Sequence, residues 1–269
     1  MSCDTSKKNV LGVLVDPIDL ETTLACVDRA ARDGERCTIS ALAVHGVMTG
    51  ALDKQHRGRL NKLDLIVPDG QPVRWALNLL YGAKLEERVY GPDLMLAVCR
   101  MAAKADYPIY LYGSRAEVLD RLTANLTSRI PGLQIAGREP SAFRTLSTDQ
   151  RDQVVNRIQG SGAKIVFVGL GCPRQETWAH ENGSQLSCPV IAVGAAFDFH
   201  AGTLDQAPAR LQRYGLEWLY RLSKEPRRLW RRYLILNPVY LTLLGLQATG
   251  LFALDPEQAS EAPEELRFG

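Results

Sequence analysis

The sequence predicts an α/β fold: a Rossmann-like, mostly parallel sheet with helices on both faces, followed by a C-terminal basic helical appendage. Short apolar runs alternate with amphipathic helical segments, a pattern typical of a parallel sheet that is covered on both sides. Two of these runs lead through a glycine-rich loop directly into a helix. With 46% apolar and 23% charged residues, the 269-residue chain can also bury a sizeable core.

Strands are predicted where short apolar runs are bounded by turn residues. The first run, for example, ends at Asp16-Pro17. The predicted strands cover residues 10–15, 38–44, 65–67, 108–112, 133–136, 164–168 and 189–193.

Helices are predicted between the strands, where apolar residues recur every three or four positions. Leu24, Val27 and Ala31 lie on one side of the first helix, and Asp93 is suited to cap the helix that starts at Leu94. The predicted helices cover residues 20–32, 47–63, 73–80, 94–104, 116–129, 148–160 and 176–181.

Composition argues against several classes of protein. The net charge is only +2, so nothing global indicates nucleic-acid binding. Six cysteines are scattered without a CxxC pair, which argues against a zinc ribbon or a redox dithiol. The four histidines are not at metal-ligand spacing and no DxD motif occurs, so no metal is expected. The polar N-terminus has no signal-peptide pattern, and a reducing cytoplasm is the expected setting.

Two carboxylates follow predicted strands. Asp69 comes directly after Pro68 ends the third strand, and a flexible Gly70 follows. Open α/β folds bind ligands beyond the carboxyl ends of their strands, so Asp69 is placed to face a ligand. Asp-Gly is also an ordinary turn dipeptide, and these residues alone favour the turn. Asp198 follows the last strand and is suited either to bind a sugar or ribose hydroxyl or to cap the next turn.

Two strand–glycine–helix junctions are candidate phosphate sites. Gly113-Ser114 forms one, and Gly169-Leu170-Gly171 forms the other. Backbone N–H groups and the following helix N-terminus suit a diphosphate. The second junction continues with Pro173 and lacks the third glycine of a dinucleotide fingerprint, so a nucleoside diphosphate is favoured over NAD. Tight turns alone also explain these glycines.

Residues 210–232 contain eight basic residues and two acidic ones, with aromatic and aliphatic residues between them. This segment could be a solvated charged face, a nucleic-acid site or a contact with an anionic membrane. The aromatics have helical spacing instead of lying on a β platform, which argues against nucleic acid. Composition favours a membrane surface. The apolar segment 239–254 is shorter than the ~20 residues of a spanning helix, and is suited to contact either the membrane or a second copy in a homo-oligomer.

Together these residues resemble the WecG/TagA/CpsF glycosyltransferases (glycosyltransferase family 26), over about residues 10–241. Five blocks in order carry the resemblance. They are Pro68-Asp69-Gly70, residues 87–95 (ERVYGPDLM), residues 169–176 (GLGCPRQE), residues 197–202 (FDFHAG), and residues 215–222 (GLEWLYRL), which continue through residues 225–234 (EPRRLWRRYL).

The resemblance implies an enzyme at the cytoplasmic face of the cell (inner) membrane, bound peripherally. It implies transfer of a sugar, typically N-acetylmannosamine or its uronic acid, from a UDP-sugar to a polyprenyl-diphosphate-linked sugar in cell-surface polysaccharide biosynthesis. Inversion of the anomeric centre, with no metal and no other cofactor, is implied as well. The alternative is a non-catalytic module that binds a nucleotide sugar or a membrane surface. An NAD-linked oxidoreductase is disfavoured by the missing glycine.

Within the resemblance, Asp69 matches the general base, and arginines of the appendage complete the site. Two departures weaken any assignment of the usual donor sugar: Ser40-Ala41-Leu42 stands where many members have T-x-N, and Ser141-Ala142-Phe143 where many have Gly-Tyr-Phe. The predicted substrate-binding residues are Ser40, Arg88, Asp93, Gly113, Ser114, Gly169, Gly171, Pro173, Arg174, Gln175, Glu176, Asp198, Arg221, Arg228 and Arg231.

The expected organisation has three parts. Residues 1–206 form the α/β core, with the acceptor and base in residues 10–95 and the nucleotide sugar in residues 96–206. Residues 207–254 form the basic amphipathic appendage. Residues 255–269 are acidic and poor in apolar side chains, and are predicted to be disordered.

Overall fold

A computed structural model describes residues 5–144 and 146–257. The strands are β1 (Lys8–Val10), β2 (Val13–Val15), β3 (Cys37–Leu42), β4 (Leu65–Pro68), β5 (Ile109–Gly113), β6 (Ile135–Glu139), β7 (Ile165–Gly169) and β8 (Pro189–Ala192). The core helices are α1 (Leu20–Asp33), α2 (Val44–Leu52), α3 (Lys54–Asn61), α4 (Gln71–Tyr81), α5 (Gly91–Lys104), α6 (Ala116–Arg129), α7 (Thr148–Gly160), α8 (Arg174–Asn182) and α9 (Ala196–Ala201). The C-terminal helices are α10 (Ala209–Arg213), α11 (Glu217–Lys224), α12 (Pro226–Trp230) and α13 (Leu236–Ala248), with a π-helical turn at Arg231–Ile235.

The central sheet has six parallel strands in the order β4-β3-β8-β7-β5-β6. The chain moves outward to one edge from β3 to β4 and outward to the other edge from β5 to β6, while β7 and β8 fill the middle. Such a reversal opens a crevice at the carboxyl ends of the central strands. The predicted α/β fold with a mostly parallel sheet is confirmed.

Alternate residues of a strand point to opposite faces of the sheet, and here the residues on both faces are buried. Ile66 and Val168 belong to the cluster that also contains residues of α2, α3, α4, α7, α8 and α13. Val67 and Phe167, one residue along in each strand, belong to the cluster of α1, α5, α6 and α9. The helices therefore cover the sheet on both sides, as the near-continuous apolar strands predict.

The prediction of one strand over residues 10–15 was wrong. Leu11 and Gly12 have φ values of 52° and 85°, so the chain reverses there and β1 pairs antiparallel with β2. The side chain of Asn9 stabilises this reversal by accepting a hydrogen bond of 2.7 Å from the Gly12 amide. Turn chemistry inside an apolar run thus divides it into a hairpin.

The prediction that Asp93 caps its helix was also wrong. Helix α5 begins at Gly91 with Tyr90 as N-cap, so Asp93 lies in the first turn. Pro92 is compatible with this earlier start. The first turn of a helix leaves its N–H groups without a partner in the helix, so a residue that has no N–H group loses nothing there.

The C-terminal segment is helical, as predicted, and its last helix packs on the core. Tyr240 and Leu244 of α13 are buried. The Tyr240 hydroxyl donates to the Pro72 carbonyl at 3.0 Å, and the Gln247 side chain bonds the backbone of Leu11 and Asn9 at 3.0 and 2.8 Å. Across residues 5–144 and 146–257, no helix combines the length and apolar character needed to cross a membrane. Most of the tail predicted to be disordered, residues 258–269, lies outside the described residues.

Candidate active site

Asp69 lies at the carboxyl end of β4, next to the start of α5. Its amide donates to the Leu42 carbonyl at 3.2 Å, which ties it to the end of β3. Its Oδ1 accepts a hydrogen bond of 2.8 Å from the Gly91 amide, the first residue of α5. A carboxylate at a helix N-terminus also interacts favourably with the helix dipole. The predicted Asp69-Gly70 turn is not formed, because Gly70 is the extended N-cap of α4 (φ -84°, ψ 141°). The contacts to β3 and to the start of α5 hold the carboxylate in one position.

Burial dominates the electrostatics of Asp69. It raises the pKa of the carboxyl from 3.8 to about 6, against the opposing effects of the Arg88 charge and the Gly91 hydrogen bond. Burial disfavours the charged form, whereas a nearby cation and an N–H donor favour it. A carboxylate with a pKa near 6 is ionised at neutral pH and still basic enough to accept a proton in a transition state.

Arg88 joins the core to the appendage. Its Nη2 contacts the Glu217 carboxylate of α11 at 2.8 Å and the Gln212 side chain at 3.2 Å. The guanidinium also lies 4.0 Å from the centroid of the Tyr90 ring, and the Tyr90 hydroxyl donates to Glu217 at 3.2 Å. The side chains of Arg88 and Glu217 are only 9% and 15% exposed, so this is a well-desolvated ion pair. It places α11 beside Asp69.

The two glycine junctions meet at the same edge of the sheet. The Ser114 amide donates to the Gly169 carbonyl at 3.0 Å. A Cβ on Gly113 would lie 2.7 Å from the Gly169 carbonyl carbon, and a Cβ on Gly169 would lie 2.5 Å from the Phe197 ring. Close approach thus requires glycine at both positions. Gly171 has a φ of 78° and open space around it, which leaves its backbone accessible in front of α8.

A buried polar network lies behind the second junction. Glu176 Oε1 accepts hydrogen bonds from the Ser40 hydroxyl at 3.1 Å and the Gln175 amide at 2.8 Å. Burial raises the pKa of the Glu176 carboxyl. Oε1 of Gln175 is buried without a hydrogen-bond partner within the described part of the chain, beside Gly194 at the end of β8. Three predicted residues therefore form one network, in which two acceptor atoms, Oε1 of Gln175 and Oε2 of Glu176, are unused.

The appendage arginines are not equivalent. The guanidinium of Arg221 lies 5.8 Å from the centroid of the Phe199 ring, and its charge lowers the pKa of Asp69. Arg228 is exposed and pairs with Glu225 at 2.6 Å. Arg231 is exposed beside the Trp230 ring. Of the three, Arg221 is the one whose charge acts on Asp69.

Asp93 and Asp198 lie in the first turns of α5 and α9. Asp93 lines a cleft of about 300 Å³, together with Arg129 and His200. Asp198 Oδ1 accepts from the Thr203 hydroxyl at 3.2 Å, and its carbonyl accepts from the Thr203 amide at 3.0 Å. Of the two interpretations of Asp198, the structure therefore displays the local turn contact. Pro173 and Arg174 begin α8.

Comparison with known proteins identifies the family. The model of the glycosyl transferase WecG/TagA/CpsF family matches residues 8–252. The chain belongs to this family. It is 33% identical over 184 residues to a protein of Bacillus spizizenii, covering 68% of each chain. It is 31% identical over 193 residues to a protein of Bacillus subtilis, covering 71% of this chain and 73% of that one. Both relatives are named N-acetylglucosaminyldiphosphoundecaprenol N-acetyl-beta-D-mannosaminyltransferase.

As a WecG/TagA/CpsF protein, the chain is a glycosyltransferase. Some of its site contacts are absent from the sequence-based predictions. Glu217 and Tyr90, which bind Arg88, were not predicted, because Glu217 occurs as one of two acids in a basic segment. His56 was missed too: it is far in sequence from Cys172 and Glu176, although the fold brings the three together. Contacts between distant segments identify Glu217 and His56, whereas Tyr90 is a near neighbour of Arg88 in sequence.

Proposed function

We propose that this protein is an inverting, metal-independent transferase that moves N-acetylmannosamine or a related sugar from a UDP-sugar to a polyprenyl-diphosphate-linked sugar. The observation that carries the proposal is Asp69: a carboxylate at a strand end, fixed by the Gly91 amide and raised in pKa to about 6. The names of the relatives, which specify a diphosphoundecaprenol-linked acceptor and a mannosaminyl group, support the substrate class.

In the proposed reaction, an acceptor hydroxyl attacks the anomeric carbon from the face opposite UDP. Its proton moves to the Asp69 carboxylate as the new C–O bond forms. The bond between the anomeric carbon and the diphosphate oxygen breaks, and UDP leaves with the electron pair. Attack from the opposite face inverts the anomeric centre.

As UDP departs, negative charge develops on its β-phosphate. Preorganised hydrogen-bond donors and cations are needed to stabilise this charge. The open backbone at Gly171 lies in front of the N-terminus of α8, whereas the Ser114 amide is already bonded to the Gly169 carbonyl. Arg221 supplies a cation next to Asp69. In the proposed mechanism these groups together stabilise the negative charge of the departing UDP, as a metal ion does in other transferases.

The acceptor lipid requires access to a membrane, and we propose that the appendage binds the cytoplasmic face. Its exposed surface combines Arg227, Arg228 and Arg231 with apolar side chains. The exposed apolar residues of this segment include Leu219, Trp230, Leu234, Ile235 and Leu241. Each basic residue near an anionic surface contributes about 1 kcal/mol, and apolar side chains enter the interface.

Release of UDP tests the activity. Purified protein is incubated with a panel of UDP-sugars and a short-chain lipid-diphosphate-N-acetylglucosamine. We expect acceptor-dependent UDP release with one or few donors, and a loss of about 10²-fold or more in Asp69→Asn. Binding of UDP without release from any donor would instead indicate a non-catalytic binding module.

Liposome co-sedimentation tests the membrane contact. Trp230→Ser and Leu234→Ser change exposed side chains and should leave the fold intact. We expect both to weaken binding to anionic vesicles, whereas Leu52→Ser, an exposed residue of the core, should not. Unchanged vesicle binding, together with a concentration-dependent change in sedimentation velocity, would identify this surface as a contact between two copies of the chain.

A further inference from the structure

A cluster of three potential metal ligands lies behind the glycine junction of β7. His56 comes from α3, Cys172 from the loop after β7, and Glu176 from α8. One nitrogen, one sulfur and one oxygen, each from a different side chain, all lie within 4.8 Å of one another. His56 is 2% exposed and Glu176 is fully buried. The cluster thus combines ligand groups from α3 and from the segment that joins β7 to α8, and two of its three side chains are buried.

Two polar atoms in this cluster lack partners. Nε2 of His56 and Oε2 of Glu176 are buried with no hydrogen bond to any residue in the ranges 5–144 and 146–257. Oε1 of Glu176, by contrast, already accepts from Ser40 and Gln175. Buried polar atoms are nearly always paired, because losing their hydrogen bonds to water is unfavourable. The Cys172 thiol also hydrogen-bonds to the Glu176 carboxyl. A cluster with two unpaired buried atoms besides this contact indicates a bound ligand.

We propose that His56, Cys172 and Glu176 bind a Zn²⁺ ion. Thiolate, imidazole and carboxylate are the ligand types that zinc takes in tetrahedral sites, whereas the sulfur disfavours calcium and magnesium. Three protein ligands leave a fourth position for water. Zinc–ligand bonds of about 2.0–2.3 Å place tetrahedral ligand atoms roughly 3.3–3.8 Å apart. Side-chain rotation that shortens the present separations, which are within 4.8 Å, would close the cluster on the ion.

The positive charge of Arg232 should weaken binding of a cation at this site. Its guanidinium acts electrostatically on both Cys172 and His45, so it lies near the cluster. A cation beside the site repels zinc, and its removal should strengthen binding. The Arg232→Gln variant should therefore bind zinc more tightly than the wild type. If the cluster had only a structural role, this substitution would not increase metal affinity.

The proposed zinc has no part in the transfer reaction, and its binding can be measured without any substrate. Failure of either proposal therefore leaves the other standing. Cys172 and Glu176 lie on either side of Gln175 in sequence and share the loop and helix start of the second junction. An ion bound there joins this segment to α3.

Cobalt and zinc titrations of the full chain test the site. Co²⁺ bound to a thiolate has a ligand-to-metal charge-transfer band, and Zn²⁺ affinity is measured by competition with a chromophoric chelator. We expect one equivalent of ion, a cobalt–thiolate band, and affinity weakened at least ~10-fold in Cys172→Ser and His56→Gln. Glu176→Gln, which keeps the size of the side chain, should weaken binding as well, and Arg232→Gln should tighten it.

Matched controls distinguish the cluster from other thiols and imidazoles. Cys188→Ser changes a free cysteine outside the cluster. His180→Gln changes a histidine of α8 that is also outside the cluster. Both should bind zinc like the wild type. Circular dichroism of each metal-free variant establishes that it is folded. Absence of the thiolate band in the wild type, or equal zinc affinity in folded Cys172→Ser or Glu176→Gln, would overturn the proposal.

Discussion

Replacing Asp69 by asparagine should stabilise the fold at neutral and alkaline pH. The folded carboxyl has a pKa of about 6 and an ordinary value of 3.8. The wild type therefore loses stability as the pH rises from about 4, where the unfolded chain ionises, to about 6, where the folded chain ionises. A difference of two pKa units corresponds to about 3 kcal/mol. Partial solvent exposure of Asp69 makes this an upper limit.

Asparagine is neutral at every pH and can still accept the Gly91 hydrogen bond. We expect Asp69→Asn and wild type to have equal free energies of unfolding near pH 4, and the variant to be more stable by about 1–3 kcal/mol at pH 8. Urea unfolding at a series of pH values measures the difference. Asp120→Asn is the control, because that side chain is 62% exposed and should show no comparable trend. A variant that is less stable than wild type at pH 8 would refute the argument that burial destabilises the charged form.

Four further substitutions test individual contacts by urea unfolding. Glu217→Ala should cost about 3 kcal/mol, because it leaves the desolvated Arg88 charge without its carboxylate; a loss below 1 kcal/mol would show that the pair is effectively solvated. Gly169→Ala should cost about 1–3 kcal/mol through overpacking, and Gly171→Ala only about 1 kcal/mol through its positive φ; equal losses would contradict the packing argument. Tyr240→Phe should cost about 1 kcal/mol by removing one hydrogen bond between α13 and the core, and no loss would indicate that water replaces it.

Local sequence signals predict most of the elements. Helices α6 and α7 have the predicted bounds, and each sheet strand overlaps its predicted run. Apolar periodicity identifies these elements because the sheet is buried on both faces. Prediction failed where a turn, a proline or a capping side chain decided the local structure. Leu11-Gly12 reverses the chain, and Pro92 moves the helix start ahead of Asp93. Asp53, the N-cap of α3, divides the helix predicted over residues 47–63 into α2 and α3.

The site is predictable only in part. Strand ends and glycine junctions identify Asp69, Gly113 and Gly169 because their position follows from the parallel topology. The partner of Arg88 does not follow from local sequence, since Glu217 belongs to a helix whose docking depends on tertiary packing. The same holds for Arg228, which resembles Arg221 in sequence context yet pairs with Glu225 at the surface.

The pH dependence of transfer tests the role of Asp69 most directly. If Asp69 is the base, log kcat/KM should fall with unit slope as the pH drops below about 6. In Asp69→Asn the rate should be at least ~10²-fold lower, and this inflection should be absent. UDP affinity, measured in parallel, should be similar in both proteins. A wild-type profile that is flat across pH 6, or an Asp69→Asn variant with wild-type kcat/KM, would contradict the assignment of Asp69 as the general base.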